Sequence, residues 1–333
     1  MENITRRVVG NNVWLSDSQP DARGQLARLP AHGLNYEVME SEEAVGREML
    51  AEIETAAQSK AGDLTIILLG GRGAQAMHRL IGEQAKTNEV DHLLSRLHVF
   101  TQDALAPMRM ENSFSFVRDF ERLLGPDFFR KVKSFTAMRT DTEDLEGELV
   151  RYLEQLESRG EIDVLFLGLG PEQNAASHLA YIKPNSGSAV TDLAGVIPIS
   201  PDILNHHIAK FKAGGARYAG FQLAHESPET SFSEADEAEC GRATHILTLG
   251  PAAILRAKRI VQSIVDADTA PARVGGARRS GECPALSLAS RRRRAVRASR
   301  IRRPPALDFA LHGTVASQGG RGGPRRFRSD LSL

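Results

Sequence analysis

Residues 162–170 read IDVLFLGLG, and residues 64–71 read LTIILLGG. Both are continuous apolar runs of strand length that end in glycine. Short runs without alternation are typical of strands buried on both faces, as in a parallel sheet. Amphipathic helical patterns separate these runs from other strand-like segments. We therefore predict an α/β fold, with a Rossmann-like, mostly parallel sheet covered by helices on both faces.

The remaining elements follow from the same patterns. Further strands are predicted at LHVFT (97–101), GVIPIS (195–200), YAGFQL (218–223) and THILTLG (244–250). Helices are predicted at 41–58 with Ser41 as N-cap, 74–85, 112–125 closed by Gly125, 142–160 and 251–266.

Composition excludes several classes of protein. The chain has 333 residues, with 42 lysines and arginines against 42 aspartates and glutamates. No run approaches the roughly 18 apolar residues that a membrane span needs. Two cysteines, Cys240 and Cys283, are too few for a disulfide framework or a zinc site. We expect a cytoplasmic protein, since the first residues also lack a secretory signal pattern.

The neutral total conceals a division of the chain into three parts. Residues 1–33 are predicted to be a polar N-terminal extension, 34–270 the α/β domain, and 271–333 a basic tail. The tail has 15 arginines, no lysine and three acidic residues, with few large apolar side chains. It is predicted to be disordered, because it cannot bury enough apolar surface to offset its chain entropy.

The arginine-rich tail has three open interpretations. Clustered arginines neutralise phosphates, so the tail could bind nucleic acid, although no other part of the chain indicates such a partner. A solvated appendage is the simpler interpretation. The abrupt loss of lysine also fits an out-of-frame reading of a GC-rich gene, which comparison of the other two reading frames would test.

Three loops follow predicted strands with glycine or polar residues, and ligands of parallel sheets bind at that edge. In the loop GGRG (70–73), glycines precede a helix N-terminus, where bare amides favour an anion, and Arg72 adds a positive charge. A tight turn with no ligand explains the same glycines. Asp103 in HVFTQDALAP suits a general base, but a turn cap is the commoner fate of a loop aspartate.

The third loop is LGLGPEQNAASHLA (167–180). Glu172 could serve as an acid or base, Asn174 as a hydrogen-bond donor, and His178 as a proton carrier. A helix-face histidine without a catalytic role is the alternative for His178. The pair His206 and His207 has no further ligand at metal spacing, so no metal site is predicted.

The order of these motifs resembles the glucosamine-6-phosphate deaminase and 6-phosphogluconolactonase family. The motifs are GGRGAQAMHRL, HVFTQDALAP, ENSFSFVRDF, LFLGLGPEQNAASHL and THILTLGPAAILRAKRIV, which lie between about residues 35 and 266. The resemblance implies a Rossmann-like sheet, a sugar 6-phosphate as the small-molecule partner, and no cofactor. It leaves the oligomeric state open.

Residue by residue, the resemblance is incomplete. It implies that Asp103 matches the family's proton-abstracting aspartate and that Ser113 matches a serine of the substrate site. The phosphate loop, usually GGSTP or TGSTP, is here Gly70, Gly71, Arg72 and Gly73, without the hydroxyl side chains. The lactonase motif GPDGHTAS is here GPEQNAAS, residues 170–177, beginning at Gly170.

That last motif leaves two hypotheses open. Its acid is lengthened to Glu172, and the histidine that acts in both branches is replaced by Asn174, which cannot carry a proton near neutral pH. His178 lies one helical turn further along. The first hypothesis is an enzyme for 6-phosphogluconolactone hydrolysis or amino-sugar-6-phosphate isomerisation and deamination. The second is a catalytically degenerate protein that binds a sugar phosphate.

Overall fold

The computed structural model describes residues 4–17, 35–168, 187–218, 232–265 and 296–301. Within these ranges the strands are β1 (Ile4–Val9), β2 (Asn12–Asp17), β3 (Asn35–Met39), β4 (Leu64–Leu68), β5 (Leu97–Thr101), β6 (Asp103–Ala106), β7 (Ser134–Thr136), β8 (Val164–Leu167), β9 (Asp192–Pro198), β10 (His245–Leu249), β11 (Arg259–Ile264) and β12 (Val296–Ile301). The helices are α1 (Glu42–Ser59), α2 (Gln75–Thr87), α3 (Asp91–Leu94), α4 (Phe116–Lys131), α5 (Leu145–Ser158), α6 (Pro201–Tyr218), α7 (Glu234–Cys240) and α8 (Pro251–Arg256).

A seven-stranded sheet forms the centre of the fold, in the order β3-β12-β11-β8-β4-β5-β7. The five strands from β11 to β7 are parallel, and β12 and β3 add an antiparallel edge. The predicted parallel sheet is confirmed. Its central strands are the two apolar runs that the sequence identified, because β4 and β8 are buried along their whole length.

Side chains of β4 alternate between two hydrophobic cores. Ile66 and Leu68 pack in one core with α1, α2 and α4, whereas Ile67 packs in the other with α5. This alternation follows from the two-residue period of a strand. Helices therefore cover both faces of the parallel sheet, as predicted.

A second, antiparallel sheet of five strands was not predicted. Its order is β1-β2-β9-β10-β6, so the segments GVIPIS and THILTLG belong to it rather than to the parallel sheet. Apolar composition did not distinguish the two sheets, because both β9 and β10 are buried almost throughout. The strand β6 begins at Asp103, directly after β5, and so joins the two sheets.

The prediction of a loose N-terminal extension is wrong for residues 4–17. They form the hairpin β1–β2, which pairs with β9. Trp14 is fully buried in the core, and Arg7 and Ser16 both bind the buried carboxylate of Asp192. The polar composition of this segment gave no sign of a hairpin, because its partners on β9 are distant in sequence.

Most predicted helices are confirmed. The Ser41 hydroxyl caps α1 by accepting a hydrogen bond from the amide of Ala44, and α2 and α5 lie where their patterns placed them. Gly125 interrupts α4 as predicted, although a further helical segment continues to Lys131. The helix α6 was not predicted.

The predicted helix over 251–266 is wrong in its second half. The helix α8 ends at Arg256, and Arg259–Ile264 forms the parallel strand β11 beside β8. Ile260 and Val261 are buried on opposite sides of the sheet. Tertiary pairing therefore decides a segment whose apolar residues suit either structure.

Two further predictions fall largely outside the described residues. Of YAGFQL, only Tyr218 is described, as the last residue of α6. Of the arginine-rich tail, Val296–Ile301 forms strand β12 where composition predicted disorder, and the rest is outside the description.

Candidate active site

The three candidate loops start at one edge of the parallel sheet. Gly70 follows β4, Asp103 follows β5, and Gly168 follows β8. The amide of Gln102 donates to the Leu68 carbonyl at 3.1 Å, which joins the ends of β4 and β5. A Cβ on Gly168 would lie only 2.7 Å from the Leu69 side chain, so the end of β8 also lies against β4.

Asp103 lines a narrow cleft between the end of β5 and the N-terminus of α4. Its side chain and backbone together are 8% exposed. The polar lining comprises Asp103, Thr101, Ser115 and Thr140, and the remainder is apolar, contributed by Ala104, Leu105, Met108, Met110, Phe116, Val117 and Met138. The cleft is partly open, and its volume is about 10 Å³. Asp103 therefore lies just past a buried strand, and the structure adds that it lines a cleft.

Phe116 connects this cleft to the glycine loop. Its ring lines the cleft and also touches Gly70, where a Cβ would lie 2.4 Å from Phe116 Cδ1. Gly71 has a φ of +74°, a conformation that other residues rarely adopt. Glycine at these two positions therefore brings bare backbone against the wall of the Asp103 cleft.

Arg72 opens the short 3₁₀ turn Arg72–Ala74 that precedes α2. Its guanidinium forms an ion pair with Glu42 on α1, and the two side chains are 15% and 13% exposed. The Nε atom of Arg72 has no hydrogen-bond partner in the described part of the chain. The sequence analysis predicted that the positive charge of Arg72 helps to bind an anion, and Glu42 neutralises part of that charge.

Two further polar groups near this edge have no hydrogen-bond partner in the described part of the chain. Gln102 is fully buried, and neither side-chain atom of its amide has a hydrogen-bond partner among the described residues. The Ser113 hydroxyl oxygen is likewise buried without a partner in those ranges. Buried polar groups are normally satisfied, so such groups are unusual and are candidates for contacting a ligand.

Carboxylates of α7 fix the loop that carries Ser113. Glu239 accepts hydrogen bonds from the amide and Nε of Arg109, at 2.8 Å each, and from the side chain of Asn112. Asp236 accepts from the Ser113 amide at 3.2 Å. These charge-assisted contacts hold the entrance to α4, and they were missed because α7 is distant in sequence.

Asp103 also influences two buried side chains. Burial lowers the pKa of His207 on α6 to about 4, while its hydrogen bond with the Phe114 carbonyl and the charge of Asp103 act in the opposite direction. Burial, together with the Asp103 charge, raises the pKa of Tyr152 well above its usual value. The sequence considered His207 only as a metal ligand and gave no sign of its proximity to Asp103.

The third loop cannot be placed in this site. Gly170, Glu172, Asn174 and His178 lie outside the described residues. Among the residues that are described, no group of three or more histidine, cysteine, aspartate or glutamate side chains could hold a metal ion. No described helix is both long enough and apolar enough to cross a membrane.

No protein-family model and no curated protein matches the chain. Similar solved structures include a monomeric glucosamine-6-phosphate deaminase, 20% identical, over 67% of this chain and 78% of that one, with a TM-score of 0.46. They also include 6-phosphogluconolactonases from Thermotoga maritima and Trypanosoma cruzi. Each is 15% identical, over 67% and 69% of this chain and 78% and 80% of theirs, with TM-scores of 0.44 and 0.43.

These solved structures carry the two activities of the family that the sequence motifs resemble. At identities of 15–20% and TM-scores below 0.5, this similarity assigns no activity to the present chain.

Proposed function

We propose that this protein is an enzyme acting on a sugar 6-phosphate, by lactone hydrolysis or by isomerisation and deamination of an amino sugar. The observation that carries the proposal is the burial of Asp103 in a cleft whose Phe116 wall touches the glycine loop. A carboxylate and an array of bare amides are thereby adjacent at the edge of a sheet where ligands bind. The order of sequence motifs supports the same substrate class.

In this proposal the two ends of the substrate have different partners. Amides of Gly70–Gly73 bind the phosphate at the start of α2, where the helix dipole favours an anion. Arg72 adds charge, reduced by its ion pair with Glu42. Asp103 acts as the base, and Ser113 offers a hydroxyl that no described side chain occupies.

The third loop completes the proposed site on the strength of the sequence alone. Glu172 is proposed as an acid or base, Asn174 as a donor to a carbonyl or ring oxygen, His178 as a proton carrier and Gly170 as a backbone contact. A cytoplasmic location and chemistry without a cofactor also remain predictions, as do the domain limits 34–270 and any nucleic-acid contact of the tail.

A second function is a binding protein without turnover. Two observations favour it: Asn174 stands where the resembled family has a histidine, and Arg72 is engaged by Glu42. Such a protein would retain the phosphate loop and lose catalysis.

The test uses the purified full-length chain. Hydrolysis of 6-phosphogluconolactone and ammonia release from glucosamine 6-phosphate are measured beside thermal shifts with 6-phosphogluconate, glucosamine 6-phosphate and their unphosphorylated counterparts. Turnover supports the enzyme. A rise in Tm with phosphorylated ligands alone, without turnover, selects the binding protein. Neither turnover nor stabilisation overturns both functions.

A further inference from the structure

A serine, a histidine and an aspartate lie together at the amino edge of the parallel sheet, at the opposite end of β5 from Asp103. His98 is near the start of β5, and its Nδ1 atom is 2.7 Å from the hydroxyl oxygen of Ser134 on β7. Its Nε2 atom is 3.6 Å from a carboxylate oxygen of Asp63, which precedes β4. The parallel pairing of β5 with β7 places His98 opposite Ser134. None of the three has a role in the proposed function.

The carboxylate determines which ring nitrogen of His98 carries the proton. Asp63 is ionised, because a hydrogen bond from Lys133 at 2.5 Å lowers the pKa of its carboxyl. An ionised carboxylate only accepts hydrogen bonds, so the Nε2 atom that faces it carries the proton and Nδ1 is an acceptor. The Ser134 hydroxyl therefore donates to Nδ1. A hydroxyl that donates to a basic ring nitrogen is the arrangement that activates a serine nucleophile.

The surroundings of His98 leave its ring free to take up a proton. Burial lowers the pKa of His98, and the charges of Arg159 and Lys133 act in the same direction. Asp63 acts in the opposite direction, through its charge and its hydrogen bond. The ring is therefore neutral at neutral pH, as a general base must be, and the carboxylate stabilises the cation that forms when the proton moves.

Ser134 is reachable from solvent and has a backbone donor beside it. The strand β7 is the last of its sheet, and within the described residues it pairs only with β5. On that side the Lys133 amide donates to the Leu97 carbonyl at 3.0 Å. Amides alternate in direction along a strand, so the Ser134 amide points away from β5, to the outer edge. Ser134 is half-buried, and its amide is placed to donate to an oxyanion that forms at its own hydroxyl.

We propose that Ser134, His98 and Asp63 form a second catalytic site, which hydrolyses small acyl esters through an acyl-serine intermediate. Ser134 is the nucleophile, His98 is first the base and then the acid, and Asp63 orients the ring. The half-buried hydroxyl admits a short acyl chain more readily than a bulky one. The site lies at the other edge of the sheet from the proposed sugar-phosphate site and is independent of it.

Each step balances with water as the only co-reactant. The Ser134 oxygen bonds to the acyl carbon while its proton passes to Nδ1 of His98. The bond between that carbon and the alcohol oxygen breaks, and the alcohol oxygen takes the proton. Water then bonds to the acyl carbon and gives a proton to Nδ1. The bond between that carbon and the Ser134 oxygen breaks, and this oxygen takes the proton back, which releases the carboxylic acid.

The test treats the purified full-length chain with a fluorophosphonate, which reacts covalently with activated serines, and locates the label by mass spectrometry. Wild-type protein should carry the label on Ser134. His98→Asn should slow labelling by about a hundred-fold, Asp63→Asn by about ten-fold or more, and Ser134→Ala should abolish it. Ser158→Ala, at an exposed serine that donates to a backbone carbonyl, should label at the wild-type rate. Hydrolysis of p-nitrophenyl acetate should fall in the same order.

The Tm of each variant is compared with wild type, so that lost reactivity at an unchanged Tm reports the chemistry. No label on Ser134 of the wild type overturns the proposal. Equal labelling rates in His98→Asn and wild type also overturn it, because the serine would then react without its base. Should His98→Asn not fold, equal rates in Asp63→Asn and wild type decide against it. These results leave the proposed function standing, because its site lies at the other edge of the sheet.

Discussion

The polar groups at the two ends of the parallel sheet differ in whether protein groups satisfy their hydrogen bonds. At the amino end, Asp163 precedes β8 and accepts hydrogen bonds from Lys60 at 2.7 Å and from the Thr65 amide at 2.9 Å. Lys258 approaches the same carboxylate at 3.4 Å. Asp63 precedes β4 and pairs with Lys133 at 2.5 Å, a hydrogen bond that lowers the pKa of the Asp63 carboxyl.

At the carboxyl end, polar groups are buried without such satisfaction. The Gln102 amide and the Ser113 hydroxyl have no partner within the described ranges. Protein groups therefore satisfy these two carboxylates at the amino end, whereas two polar groups at the carboxyl end keep hydrogen-bonding capacity within the described ranges. Leaving a buried polar group unsatisfied costs about 1–3 kcal/mol, and in the proposed function ligand contacts offset this cost.

The largest expected effect is on turnover, and it is tested by the same substitution at each end of the sheet. Asp103→Asn should lower turnover of the sugar phosphate by about a hundred-fold or more, because the amide cannot accept a proton. Asp63→Asn makes the same change at the amino end of the sheet, before β4, and should leave kcat within about two-fold. Equal activity of Asp103→Asn and wild type would remove Asp103 from the chemistry.

A pH-dependent effect is expected from His78, which α2 buries completely against Phe120. Burial lowers its pKa to about 3, so the folded protein holds the neutral ring while the unfolded chain binds a proton below about 6.5. Stability should therefore fall as pH drops from about 6.5 to about 3, by an amount on the order of 4 kcal/mol.

The measurement is the free energy of unfolding between pH 4 and pH 7 in urea. His78→Leu should flatten its pH dependence, and His92→Leu, which changes an exposed histidine, should not. Identical slopes for His78→Leu and wild type would show that His78 does not contribute to this pH dependence.

At the amino end, Asp163→Ala should cost stability and not activity. The substitution removes a buried acceptor of charged and backbone donors, which corresponds to about 2–3 kcal/mol. Asp63→Ala, at an exposed ion pair, should cost less than about 1 kcal/mol. Chemical denaturation measures both, and a loss of kcat in Asp163→Ala at full folding would contradict the division of roles between the two ends.

Gln102→Met should raise stability and weaken ligand binding. Replacing an unsatisfied buried amide by an apolar side chain of similar shape should raise stability by about 1 kcal/mol. If the amide contacts the ligand, the Kd for a sugar phosphate should rise by about ten-fold. A drop in stability with unchanged Kd would mean that the amide is satisfied within the protein.

The smallest expected effect concerns Arg72. Because Glu42 already neutralises part of its charge, Arg72→Ala should weaken phosphorylated ligands by only about five-fold, and unphosphorylated ligands not at all. Arg79→Ala, one turn along α2 and close to Glu43, is the matched control. Calorimetric titration that shows equal losses for both ligand types would remove Arg72 from the phosphate site.

Features that depend on residues close in the sequence could be predicted. The apolar runs that became β4, β5 and β8, the Ser41 cap and the location of Asp103 beyond a strand all follow from local patterns. Because parallel strands align their carboxyl ends, those patterns also predicted that the loops at Gly70, Asp103 and Gly168 start at one edge.

Distant contacts account for the errors. Strand β11 depends on pairing with β8, and the N-terminal hairpin on pairing with β9. The Glu42 ion pair of Arg72 and the proximity of His207 to Asp103 join segments that no local pattern relates. Such features cannot be read from one sequence by periodicity.

A crystal structure of the full chain with 6-phosphogluconate bound tests the central claim most directly. We expect the phosphate within hydrogen-bonding distance of the amides of Gly70–Gly73, and the carboxylate end of the ligand beside the cleft of Asp103. A ligand bound elsewhere, with both the glycine loop and Asp103 remote from it, would contradict the assignment of this edge as the active site.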